Sequence, residues 1–135
     1  MKISNQYKQY VEIMKEALIR EVGGYLDKLM CNNIILQTVA YDDFGIAPQT
    51  LRSLRVGDQT ISLSVLRKMP YVFAYYLDSY RKKTEAKPNG HEKKSIEKDF
   101  PALVAEFKAL YGYQATFCLD LIKKGKDLRE IVRHP

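Results

Sequence analysis

The chain has 135 residues, 46% of them hydrophobic, enough for one modest packed domain or a small core with appendages. Twenty-two Lys and Arg against sixteen Asp and Glu give a net charge of +6 and a pI of about 9.2, a level at which a nucleic-acid partner becomes a fair expectation. No stretch approaches the roughly 20 continuous apolar residues of a membrane span, and no N-terminal apolar run suggests a signal peptide, so a soluble cytoplasmic protein away from the membrane is expected. Cys31 and Cys118 lack CxxC spacing and clustered histidines, which argues against both a zinc site and a disulfide framework.

From Asn5 to Val22 an amphipathic helix is predicted, with Tyr7, Tyr10, Val11, Met14, Leu18 and Val22 on one stripe. Each of the paired glycines Gly23 and Gly24 weakens a helix by about 1 kcal/mol relative to alanine, so a break or hinge is expected there. Residues 1–24 thus read as an N-terminal helix, and Tyr25 to Met30 as a separate short one. Asn32 or Asn33 can cap the helix that follows.

Ala40, Tyr41 and Phe44 recur at three- to four-residue spacing and are expected to line one face of a short helix. Gly45 stops it, since a residue just past a helix end often takes positive φ, and Ile46 folds back as an apolar contact. Pro48 suits the first position of the next helix. Leu51 and Leu54 then face inward and leave Gln49, Arg52, Ser53 and Val56 as an outward stripe. Two short helices around a tight turn, the second presenting polar side chains, can place a helix in a DNA groove. The plainer alternative is a helical hairpin within any compact α protein.

After Gly57, Ser62 is the expected N-cap of a helix carrying Leu63, Leu66 and Met69, broken or kinked at Pro70. Helical periodicity restarts from Tyr71 to Lys82 through Phe73, Tyr76, Leu77 and Tyr80. With Tyr71 and Tyr75 added, its apolar arc suits either a central core helix or a dimer seam. Ten tyrosines and no tryptophan make subunit contacts, and hence a homodimer, plausible. From 81 to 98 seven Lys and Arg stand against three Glu; with Pro88, Asn89 and Gly90, residues 82–98 read as a basic linker that follows a phosphate backbone or simply stays solvated. Beyond it, helices are predicted at Phe100 to Tyr111, Ala115 to Lys124 and Asp127 to Arg133. This C-terminal helical unit, 99–135, is too small to bury a core alone and should pack on the first lobe or on a second subunit.

The stretch Gln37 to Gly57 resembles the Cro/phage-repressor (Xre-type) helix-turn-helix family. In that pattern a glutamine opens the first helix, glycine fills the turn, an aliphatic residue follows, and two apolar residues anchor the recognition helix. Gln37, Gly45, Ile46, Leu51, Leu54 and Gly57 match in order and spacing, and Ser62, Leu63, Leu66, Lys68 and Met69 resemble the family's next helix. The resemblance covers roughly Tyr25 to Tyr80. Tyr41 departs from it by standing where the family has a small residue, and Pro70 by falling where the family's fourth helix continues. It implies an all-α, lambda-repressor-like helix-turn-helix bundle at 25–81 with N-terminal and C-terminal helical extensions.

By the same resemblance the function expected is sequence-specific binding of double-stranded DNA by a homodimeric transcriptional regulator. Gln37 would hold a phosphate with the free amides of its helix N-terminus, Gln49 would contact adenine, and Ser53 would be a second reader. Val56 would touch a thymine methyl and Arg52 guanine or phosphate. Arg55 would contact phosphate or pair with Asp42 or Asp43, and Thr50 completes the candidate set. The competing reading is a helical protein-interaction module with a protein partner, or an antitoxin. No enzyme is expected: His91 and His134 sit in poorly preorganised positions, adjacent Asp42 and Asp43 point apart, and phosphate-loop, dinucleotide and nucleophile-elbow motifs are absent. No cofactor or metal is implied.

Overall fold

The computed structural model describes the backbone of residues 5–32, 35–86 and 90–133 and the side chains of 9, 12–29, 36–82 and 100–133. Among the described residues the chain is all-α, with seven helices and no strand: α1 (Asn5–Asn32), α2 (Ile35–Phe44), α3 (Pro48–Arg55), α4 (Leu63–Ala86), α5 (Gly90–Tyr111), α6 (Tyr113–Lys123) and α7 (Leu128–Arg133). Helix α4 is the hub, packed against α2, α5, α6 and α7, while α1 closes against α3 and α5.

The break expected at Gly23 and Gly24 does not occur, and 25–30 continue α1. An added Cβ at Gly23 would lie 2.3 Å from the Leu54 carbonyl oxygen of α3, so this glycine lets two backbones touch; around Gly24 there is open space. Ile19, Val22, Leu26 and Leu29 are all fully buried on α1. Burying each contributes roughly 1.5–3 kcal/mol, more than the glycines cost. Val22 from the predicted stripe is in the core, Leu18 is half-buried and Met14 is exposed. The side chains of Tyr7, Tyr10 and Val11 lie outside the described residues. Asn32 is the last residue of α1, and its side chain and Asn33, the two expected caps, lie outside the described residues.

Pro70 likewise leaves α4 unbroken. The roughly 3 kcal/mol that a proline costs inside a helix is offset by burial of Met69, Val72, Phe73 and Leu77 around it. Tyr76 is only 3% exposed and belongs to the core, while Tyr71, Tyr75 and Tyr80 on the same helix are half-buried against it. Within the segment 82–98, read as a basic linker, the described backbone is helical: α4 runs to Ala86 and α5 starts at Gly90. Lys, Glu and Ala are good helix formers, and a polar composition does not by itself make a loop. Pro88 and Asn89 fall outside the described residues.

Phe73 joins the two halves of the chain. Its ring meets Tyr25 of α1 edge-on at 4.9 Å and Phe107 of α5 at 6.3 Å, with Tyr111 at 6.2 Å. The C-terminal helices thus pack on the first lobe, and Phe107, Ala115, Cys118 and Leu128 belong to the same core as Leu51 and Leu54.

The Tyr25 hydroxyl donates to the Leu103 carbonyl at 2.8 Å, whereas the buried Tyr111 hydroxyl has no partner among the described residues. Tyr25→Phe is therefore expected to lower stability by about 1 kcal/mol and Tyr111→Phe to raise it by about 1 kcal/mol, read from urea midpoints. Burial pushes both phenols well above their ordinary range. The neutral forms are favoured by folding, so this stabilisation is complete below pH of about 10 and lost as pH rises further. The slope should be about 1.4 kcal/mol per pH unit for each tyrosine, and either Phe variant should flatten it.

Burial also pushes the Cys118 thiol up to about 11, leaving it protonated and inert at neutral pH. Iodoacetamide at pH 8 is expected to modify Cys118 only after urea unfolds the chain, with peptide mapping scoring Cys31 separately.

Candidate nucleic-acid interface

Helix α2 ends at Gly45, whose φ of 69° lets the chain reverse. The Gly45 and Ile46 amides donate back to the Tyr41 and Ala40 carbonyls at 3.1 and 2.8 Å, and Ile46 is buried beneath the turn. Pro48 opens α3 as expected, after Ala47, which has no capping side chain. Leu51 and Leu54 are fully buried, and the close approach of Gly23 presses α3 onto α1.

Gly57 turns the chain out of α3. Asp58 then accepts the Thr60 amide at 2.9 Å and its hydroxyl at 2.7 Å, hydrogen bonds that hold its carboxyl below the usual range. Ser62 caps α4 by accepting the Val65 amide at 3.2 Å, although Leu63 is exposed. Lys15 of α1 donates to the Gln59 carbonyl at 3.3 Å and ties this loop to the long helix.

On α3, Gln49, Arg52 and Val56 are exposed, Val56 at 78%, while Thr50 and Ser53 are half-buried. Helical periodicity brings Gln49, Arg52, Ser53 and Val56 onto one outward face. Among the described residues no hydrogen bond or ion pair engages the side chains of Gln49 or Arg52. Gln37 lies half-buried in the first turn of α2.

Arg55 departs from expectation. Its guanidinium reaches Asp27 of α1, with Nε 3.0 Å from Oδ1, and neither Asp42 nor Asp43 is its partner. The flank of α3 that bears Arg55 is the one α1 covers, a packing that no local spacing reveals. Asp43 pairs instead with Arg129 of α7 at 3.3 Å. Arg129 also grips Asp127 at 2.8 Å and lies 5.3 Å over the Tyr75 ring. That hydrogen bonding holds the Asp127 carboxyl below its usual range. Asp42 stays exposed.

Tyr41 is a second correction. At 57% exposure it is outside the core face of α2, which Ala40 and Phe44 carry, with Phe44 edge-on to Tyr75 at 5.5 Å. A tyrosine is accommodated at this position because its ring points to solvent and does not wedge α2 from α3. Sequence reasoning missed the Arg129 brace and the role of Gly23. The pairing of two glycines mid-helix was the only signal for the latter.

The exposed face has the chemistry to read a groove. A glutamine amide can bond bidentately to adenine, an arginine to guanine or phosphate, and a valine methyl can pack on thymine. No cluster of three metal-ligating side chains occurs among the described residues, and none of the described helices is long and apolar enough to cross a membrane. No family model, curated protein or solved structure matches the chain.

Proposed function

We propose that this chain is a sequence-specific double-stranded DNA-binding regulator of the phage-repressor type, a cytoplasmic homodimer in which α2 and α3 form a lambda-repressor-like helix-turn-helix and α3 enters the major groove. The observation that carries the reading is the division of α3. Leu51 and Leu54 anchor it at zero exposure, while Gln49 and Arg52 face solvent with no partner among the described residues. Side chains held on a rigid, well-seated helix and left unengaged are suited to contacts outside the molecule. The net charge of +6 adds a general attraction to the phosphate backbone.

Selection from random double-stranded oligonucleotides with the full chain is expected to enrich one motif with two half-sites about one helical turn apart. Affinity for that motif should fall steeply with salt, as released counterions require. Absence of any enriched motif would overturn the reading.

A protein-interaction module or antitoxin is the second reading, favoured by one observation: Tyr113 and Phe117, four residues apart on α6, are 96% and 55% exposed. In a DNA-binding dimer this pair is also the best-placed seam, since Tyr76 is committed to the core.

A further inference from the structure

A groove of about 290 Å³ lies between α4, α5 and α6, and none of its described lining residues belongs to α1, α2 or α3. Its floor is apolar: Leu77 from α4, Phe100 and Val104 from α5, Leu119 and Ile122 from α6. Charged groups make its rim, and among the described residues they are not balanced. Asp78 is already neutralised by Arg81 at 3.1 Å and Lys82 at 3.0 Å. Lys108 and Lys123 also line the groove, and among the described residues neither has a hydrogen bond or ion pair. Among the described residues Asp120 is the one lining carboxylate left to oppose two uncommitted ammonium groups.

An apolar trough with excess positive charge at its edge suits a molecule with an apolar body and one anionic head. Size narrows the choice. At roughly 30 Å³ for each water-sized group, the groove takes about ten non-hydrogen atoms, the number in an eight-carbon aliphatic carboxylate. We infer that the α4–α5–α6 groove is a binding site for a medium-chain aliphatic carboxylate, whose chain lies on Leu77, Val104 and Leu119 and whose head meets Lys108 and Lys123. A ligand held there would contact three helices without touching the exposed face of α3. The site is thus spatially distinct from the exposed face of α3.

Titration of the full chain with sodium octanoate, followed by calorimetry and by amide and methyl NMR shifts, tests the site. Saturable 1:1 binding is expected, with the largest methyl shifts at Val104, Leu119 and Ile122. Octylamine, of the same length and opposite charge, is expected not to bind, and octanol to bind at least fivefold more weakly. Lys108→Gln with Lys123→Gln should weaken octanoate at least tenfold while leaving the melting temperature of the free protein unchanged, because both side chains are exposed. Octylamine binding as tightly as octanoate, an unaltered affinity in the double variant, or no saturation by about 10 mM would each overturn the assignment.

Discussion

Gly23→Ala is expected to destabilise the protein by about 2 kcal/mol, whereas Gly24→Ala, its sequence neighbour, is expected to stabilise it by about 0.5–1 kcal/mol. Alanine is the better helix former by up to about 1 kcal/mol at either position. At Gly24 no described atom outside the local helix backbone lies within 4 Å of the new methyl, so the propensity gain stands alone. At Gly23 the methyl would sit 2.3 Å from the Leu54 carbonyl oxygen. A backbone oxygen cannot rotate aside, so α1 and α3 must separate. Overpacking of this kind costs about 1–3 kcal/mol, and an overlap this deep belongs near the top of that range. Chemical denaturation of both variants checks the opposite signs. Under the proposed function, Gly23→Ala should also weaken DNA binding, because the backbone it displaces carries Arg52 and Ser53.

Gln49→Ala is expected to cost about 1–3 kcal/mol of specific DNA affinity and to relax preference at one base position, since a bidentate base contact is lost while phosphate contacts remain. Arg52→Ala should either weaken all sequences alike or damage one position strongly, and the outcome assigns it to phosphate or to a base. Folding is expected to be preserved in both, because the two side chains are exposed and bond to nothing described in the molecule. Arg55→Ala makes a useful contrast. Its partner is Asp27, so its loss should cost at most about 1 kcal/mol of stability, as for other exposed ion pairs, with little change in base preference. Binding measured on the selected duplex and on single-base variants distinguishes the three. Unchanged affinity and preference in both Gln49→Ala and Arg52→Ala would remove α3 as the reading helix.

The segment from α2 to the start of α4 was the most legible part of the chain, because its signals are local. Gly45 at positive φ, Ile46 folded beneath the turn, Pro48 opening α3 and Ser62 capping α4 all act within a few residues of themselves. Candidate site residues on the outward face of α3 could be named for the same reason, since Leu51 and Leu54 define its inward side. Tyr41 was misplaced because spacing alone does not decide which edge of an apolar stripe another helix covers.

Sequence by itself therefore determined the all-helical class, the turn between α2 and α3, the Ser62 cap of α4, and the inward and outward faces of α3. Tertiary structure decided the rest. Whether Gly23 is a hinge or a contact point depends on Leu54, and whether Pro70 ends a helix depends on the core that surrounds α4. Charges behave likewise: Arg55 is committed by Asp27, 28 residues away, and Asp43 by Arg129 on the last helix, 86 residues away. Breaker residues carry penalties of about one to three kcal/mol and exposed ion pairs attractions of at most about 1 kcal/mol, which the burial of a few apolar side chains from distant helices is large enough to override.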